Sequence, residues 1–214
     1  MYLPPHFEQT DEAALAALMR EHPLAAVVSV QDGVPTADHV PLEYDAGSRT
    51  LRGHVARANP LWRSAAGVPV LALFSGPQSY ITPSWYASKA RTHKVVPTWN
   101  YTVVHAHGVL RAVEDAAWLH ALVSRLTAQH ESGRAAPWAV ADAPADYVQQ
   151  MLRAIVGIEI PVDKLLGKWK ISQNRDEADR QGVADGLAGE SPASAAAAFE
   201  MAALVRPSTP TRRT

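Results

Sequence analysis

Apolar and polar positions follow two different rhythms along this chain. Near the start, Leu15, Leu18 and Met19 fall at helical spacing, with Thr10 placed to cap and Asp11 and Glu12 in the first turn. His22-Pro23 closes that helix, because the residue before a proline avoids the helical region. The pattern then becomes that of strands. They are predicted over 24–30, over 34–44 after an Asp32-Gly33 turn, and over 50–56 after a turn cluster at 45–48. The apolar run 68–74 between Gly67 and Gly76 and the alternating run 101–113 add two more. Connections this short predict an antiparallel meander, which removes its open edges by closing into a barrel.

Helical spacing returns in the second half. Residues 115–130 carry Leu119, Leu122, Val123 and Leu126, and 143–155 carry Tyr147, Met151 and Ile155 as an apolar stripe. Further strands are predicted over 158–162 and 165–171. The fold class is therefore mainly β with peripheral helices, an α+β arrangement. From about Gly189 the composition shifts to Ala, Ser, Pro and Thr. Residues 1–187 read as one domain and 188–214 as a tail. That tail is expected to be partly helical over 191–199, with little face to bury, and disordered from Arg206.

Composition narrows the chemistry. The 214 residues carry a formal net charge of −1, so no whole-molecule field draws nucleic acid or an anionic membrane. The absence of cysteine excludes disulfides, thiolate catalysis and cysteine-ligated metals. The opening MYLPPHFEQTDE has neither a basic nor an apolar leader, and no apolar run reaches the roughly 20 residues of a membrane helix. The expectation is a soluble, cytoplasmic protein. The phosphate-binding, metalloprotease and nucleophile-elbow motifs are all missing, as is a helix-turn-helix with a basic recognition helix.

Four segments are too rich in polar and aromatic residues to be plain scaffold. Residues 53–62 run from a strand end, with His54, into Asn59-Pro60, a helix start whose free N–H groups suit a phosphate. Arg57 adds a forked cation there, although an exposed Arg and a capping Asn read equally well. In 76–89, two prolines and four hydroxyl residues predict a structured loop. Its Tyr80, Trp85 and Tyr86 offer flat faces to a planar ligand, or pin the loop to the core. Residues 94–101 lead to His105 and His107, two apart and hence on one strand face. A metal or haem site there needs a third ligand from His39 or His54, and hydrogen-bonded histidines are the simpler reading. In 167–175, Lys168 and Lys170 share a strand face opposite Trp169 and Ile171, giving either a cationic edge for phosphate or a solvated face.

These strings resemble one family. Met1-Tyr2, Pro5-His6-Phe7, Ala37-Asp38-His39-Val40-Pro41, the 53–62 segment, Gly76-Pro77, Tyr80-Ile81 and Pro83-Ser84-Trp85-Tyr86 are similar to PaiB-type FMN-binding proteins. So are Val96-Pro97-Thr98-Trp99-Asn100-Tyr101, Asp142-Ala143-Pro144, Ile155-Val156-Gly157-Ile158-Glu159 and the run from Lys168 to Arg175. The resemblance spans about residues 1–187. It implies the FMN-binding split β-barrel shared with pyridoxamine-phosphate-oxidase-like flavoproteins, homodimeric, with FMN in grooves at the interface. It also implies a negative transcriptional regulator, and DNA enters as a partner only through that family label. The implied cofactor contacts are Arg57 and Asn59 at the phosphate, and Lys168, Lys170, Ser172 and Gln173 at phosphate or ribityl oxygens. Thr98, Trp99 and Asn100 would border the isoalloxazine ring, with His39 and His54 facing the same groove. No metal ligand and no catalytic residue is assigned. The rival readings are an FMN-dependent oxidoreductase and a split barrel that binds haem or another small ligand.

Overall fold

The computed structural model describes residues 1–189 and 195–206. In chain order its elements begin with β1 (Glu8–Gln9), α1 (Glu12–Glu21), β2 (Leu24–Gln31), β3 (Val34–Pro41), β4 (Glu43–Asp45), β5 (Thr50–Ala56), α2 (Leu61–Ser64) and β6 (Pro69–Ile81). A 3-10 turn (Pro83–Trp85) and α3 (Lys89–Thr92) precede β7 (Thr98–Val109), β8 (Arg111–Val113) and α4 (Ala116–Glu131). After α5 (Ala145–Arg153) come β9 (Ile155–Lys170), α6 (Glu177–Ala188) and α7 (Ala195–Val205). The chain divides into two compact units. One comprises Met1–Asp11, Ser75–Val103 and the residues from Leu166 onward; the other comprises Glu12–Phe74 and Val104–Leu165.

In the second unit the strands hydrogen-bond in the order β3-β2-β6-β7-β9-β5-β4, with β8 also on β9. The pairs β2–β3, β2–β6, β4–β5, β5–β9 and β8–β9 are antiparallel. Leu15, Leu18 and Met19 are the buried residues of α1, as its spacing predicts. The same period-2 logic buries Ala25, Val27 and Ser29 on β2 and Leu51, Gly53 and Val55 on β5. The region read as one strand over 34–44 is two. Leu42 leaves the ladder and its N–H donates to the Pro23 carbonyl at 2.9 Å. Helix α5 buries Leu152, whereas Tyr147 and Met151 of the expected apolar stripe face solvent and Ile155 opens β9.

The first unit contains the outer parts of β6, β7 and β9 together with β1, α3, α6 and α7. Gly76 does not end its strand: β6 runs through Pro77 to Ile81, so the first six residues of the loop expected over 76–89 are extended strand. Likewise the two strands expected over 158–171 are the single β9. Helix α7 buries Ala198, Met201, Ala202 and Val205 in a cluster with Val183, Ala184 and Leu187 of α6 and with Ile81 and Tyr86. Helix α7 therefore does have a face to bury from Ala198 onward, and each larger side chain so removed from water contributes about 1.5–3 kcal/mol. Residues 190–194 and 207–214 of the expected tail, including the start of the helix expected over 191–199, lie outside the described residues.

Candidate functional site

A cleft of about 110 Å³ opens in the first unit. Its lower part is polar and buried. Asn100, fully buried on β7, donates from Nδ2 to Ser172 Oγ at 2.9 Å. Ser172, 4% exposed, sits at φ 64°, a left-handed conformation that a non-glycine residue adopts only when its surroundings hold it there. The Gln173 side chain helps to hold it. Its Oε1 accepts the Ile171 N–H at 2.8 Å while its Nε2 donates to the Trp169 carbonyl.

The tyrosine of the cleft is positioned by α6. The Asp176 carboxylate caps that helix by accepting the Asp179 N–H at 2.8 Å. Asp179, itself buried, accepts from both the backbone N–H and the hydroxyl of Ser88, at 2.8 and 2.7 Å. Gly182 and Gly186 follow on the same helix face. A Cβ on either would overlap Trp85, so the two glycines form the seat on which the 82–88 loop packs. Tyr86 is thereby driven inward to 2% exposure. Its hydroxyl is buried with no hydrogen-bond partner among the described residues. Burial pushes its pKa up. Arg175 and Ser172 lie close enough to oppose that rise, but neither meets hydrogen-bond geometry.

Cations complete the cleft. The Arg175 guanidinium lies 4.7 Å from the Tyr86 ring centroid. The Lys170 ammonium donates to Thr98 Oγ1 and to the Trp99 carbonyl, which occupies two of its three N–H bonds. Its pKa is lowered by burial first, then by the charges of Lys168 and Arg175. No carboxylate pairs with Lys170 or Arg175 among the described residues. Phe7 and Val96 add apolar walls. Trp99 stands outside, 54% exposed and edge-to-face with Tyr80 at 6.1 Å. Lys168 is different. It is 7% exposed, donates to the Tyr2 carbonyl at 3.0 Å and lies 5.3 Å from the Tyr101 ring, enclosed by its own unit.

The remaining expected residues belong to the second unit. Arg57 donates to the carbonyls of Arg153 at 2.8 Å and Ile155 at 3.2 Å, and also pairs with Glu114. Asn59 caps the four-residue α2. Its Oδ1 accepts the Leu61 N–H at 2.8 Å and its Nδ2 donates to Asp38 at 2.7 Å. His39 is exposed on β3. His54 is half-buried on β5 opposite Gly157, against which Trp118 of α4 packs, and its Nδ1 is buried without a hydrogen-bond partner among the described residues. Burial lowers its pKa. The structure thus gathers Thr98, Asn100, Lys170 and Ser172 around one cleft, with Trp99 and Gln173 beside it. Tyr86, Asn174 and Arg175 line the same cleft, although they were not among the expected contacts. Their signal was present in the aromatic-hydroxyl loop and at the end of the basic run.

The described fold is shared with solved flavoproteins. The FAD and heme binding protein from Mycobacterium smegmatis superimposes with a TM-score of 0.60 at 19% identity, over 76% of this chain and 73% of that one. The flavocytochrome Anf3 from Azotobacter vinelandii does so with a TM-score of 0.58 at 15% identity, over 76% and 69%. The fold class is therefore a split β-barrel, mainly antiparallel with added helices. Within that class, the chain belongs to the family described as "Putative FMN-binding domain", whose model matches residues 1–164. Protease synthase and sporulation protein PAI 2 of Bacillus subtilis is 33% identical over 193 residues, covering 89% of this chain and 90% of that protein. An uncharacterized protein of Emericella nidulans is 33% identical over 226 residues, covering 87% and 90%.

Proposed function

We propose that this protein binds FMN and acts, as an FMN-loaded homodimer, in transcriptional regulation. The observation that carries the reading is the first unit's cleft, where Lys170 and Arg175 face a buried phenol that lacks a hydrogen-bond partner among the described residues. A phosphate monoester supplies what each of these groups is missing: negative charge for the two cations and acceptor oxygens for the Tyr86 hydroxyl. Lys170, Arg175 and the Tyr86 hydroxyl would hold the phosphate, with Ser172 and Asn100 toward the ribityl oxygens. Thr98 and the exposed Trp99 would border the ring. Arg57 and Asn59, first expected at the phosphate, have their polar groups engaged within the second unit and instead secure its loops.

At about 110 Å³ the cleft falls below the roughly 300 Å³ of a complete small-ligand pocket, which fits a half-site that a second subunit completes. When bound, FMN supplies a ring that accepts and returns electrons; the residues named here bind and orient it. The regulatory reading draws on the family and on the relative whose name links it to protease synthesis and sporulation. Contact with DNA rests on that label alone. A cytoplasmic location belongs to the same proposal; among the described residues no helix is long and apolar enough to cross a membrane.

The test is an absorption spectrum after incubation with FMN and removal of free ligand. About one FMN retained per subunit is the expected result. No retained flavin overturns the reading. Rapid reduction of the bound flavin by NADH or NADPH would favour the oxidoreductase alternative over the regulator.

A further inference from the structure

Helix α4 has two sides with different surroundings. Leu119 and Leu122 are buried and Trp118 packs on Gly157, so that side fastens the helix to the second unit's sheet. His120, Ser124, Thr127 and Ala128 lie on the opposite side, because steps of four, seven and eight residues return to one stripe at 3.6 residues per turn. The segment 137–141 faces that stripe, and between them lies a cleft of about 410 Å³. The first unit's cleft, by contrast, holds about 110 Å³. A pocket for a small organic molecule measures about 300–1,000 Å³. Hydrogen bonds within and around the segment hold its wall in place. The Trp138 N–H donates to Glu131 Oε2 at 3.1 Å, the Ala139 N–H to Asp142 Oδ2 at 2.8 Å, and the Asp142 N–H to the Ala139 carbonyl at 2.9 Å. Pro137 fixes its own φ just before them. The Trp138 side chain is left 48% exposed at the cleft.

The groups around the cleft select its occupant. Trp138 offers a flat face, flanked by Pro137 and Val140, and Ala128 takes up little space on the helix side. The Ser124 and Thr127 hydroxyls, the His120 ring nitrogens and the Trp138 indole N–H have no hydrogen-bond partner among the described residues. No lysine or arginine lines the cleft among those residues. The one carboxylate that does, Glu131, already accepts from Arg134 Nε at 2.9 Å as well as from the Trp138 N–H. An anionic ligand would find no lysine or arginine to pair with, and burying an unpaired charge is costly. We propose that this cleft is a second small-molecule site, which takes an uncharged planar aromatic compound carrying hydrogen-bonding groups along one edge. The ring stacks on Trp138, and the edge meets the hydroxyls of Ser124 and Thr127. The site shares no residue with the cofactor cleft and does not depend on flavin. It gives the protein a place for an aromatic effector in addition to its cofactor.

The experiment titrates the full chain with N-phenyl-1-naphthylamine, an uncharged aromatic fluorophore with one N–H donor, and with its 8-sulfonate. Wild type is expected to bind the uncharged probe saturably at about one per chain, and at least about tenfold more tightly than the sulfonate. Trp138→Ala removes the stacking face and Ala128→Trp fills the cleft. Each is expected to weaken binding at least about tenfold, with the melting temperature unchanged because both positions are exposed. In NMR spectra the Trp138 indole N–H resonance, assigned from Trp138→Phe, is expected to shift with the probe, a readout taken on the wild-type protein. Saturating FMN is expected to leave the probe's affinity unchanged. No binding by wild type overturns the proposal, as does an affinity that survives both substitutions or an indole resonance that stays in place. Equal affinity for the sulfonate overturns the uncharged class of ligand. Displacement of the probe by FMN would put it in the first unit's cleft and overturn the second site.

Discussion

Arg57 in the second unit and Arg175 in the first look alike along the chain. Each follows a strand and each lies near an aromatic ring, Trp62 at 5.9 Å and Tyr86 at 4.7 Å. Their surroundings differ. Arg57 directs its N–H groups at two carbonyls and a carboxylate, contributed by Arg153, Ile155 and Glu114. Arg175, with Lys170, faces a cleft that among the described residues holds a phenol without a hydrogen-bond partner and no acidic side chain. A cation whose donors are satisfied by its own chain fastens segments together. A cation set among other cations, with Lys170 already depressed by its neighbours, is poised for an anion.

The largest effect should come from removing the open pair. Charge-assisted hydrogen bonds contribute about 1.5–3 kcal/mol each, so Lys170→Ala with Arg175→Ala should weaken FMN binding about 100- to 20,000-fold in a fluorescence titration. Thermal stability should hold, because the substitutions also remove repulsion among Lys168, Lys170 and Arg175. Arg57→Ala should do the reverse. It leaves carbonyls unpaired and Glu114 without its cation, which points to a loss of about 1–3 kcal/mol in urea unfolding with FMN affinity little changed. Equal losses of affinity in the two variants would break the distinction between the clusters. A narrower probe is Gly182→Ala. Its methyl would strike the Trp85 carbonyl, at a cost of about 1–3 kcal/mol for overpacking. Because Trp85 precedes Tyr86, FMN affinity should fall as well, which Arg57→Ala does not predict.

Much of the second unit was legible from local pattern. The α1 core residues and the limits of β5 follow directly from spacing, because each alternation coincides with a buried face. The first unit was harder. Gly76-Pro77 reads as the start of a loop, yet β6 continues through both residues, since a ladder tolerates proline where its missing N–H is not required. The Ala-rich α7 shows little amphipathic signal because its partner, α6, is small-residue rich as well. In the site, Lys170 and Ser172 stood out by residue type. Whether Arg57 or Arg175 is open was not readable, because the partners that satisfy Arg57 lie 57 to 98 positions away. Exposed Tyr147 and Met151 illustrate the same limit: helical period fixes a stripe, and tertiary packing decides which side it faces.

Titration offers the finest comparison, because burial lowers the pKa of one group in each unit, Lys170 and His54. A bound phosphate favours the charged ammonium and so raises the pKa of Lys170. FMN affinity should therefore be full at neutral pH and fall as the pH climbs toward the ordinary lysine range of about 10.4. Lys170→Met should flatten that profile. For His54 burial favours the neutral imidazole, and among the described residues its buried Nδ1 has no hydrogen-bond partner. The folded pKa lies below the unfolded one, so this contribution is complete above the ordinary histidine value of about 6.5 and is lost as the pH falls below it. His54→Gln removes the titrating group. Its melting temperature should therefore decline less steeply than that of wild type between about pH 7 and pH 5, the range in which histidine changes charge. Parallel decline in the two proteins would assign the acid sensitivity to groups other than His54.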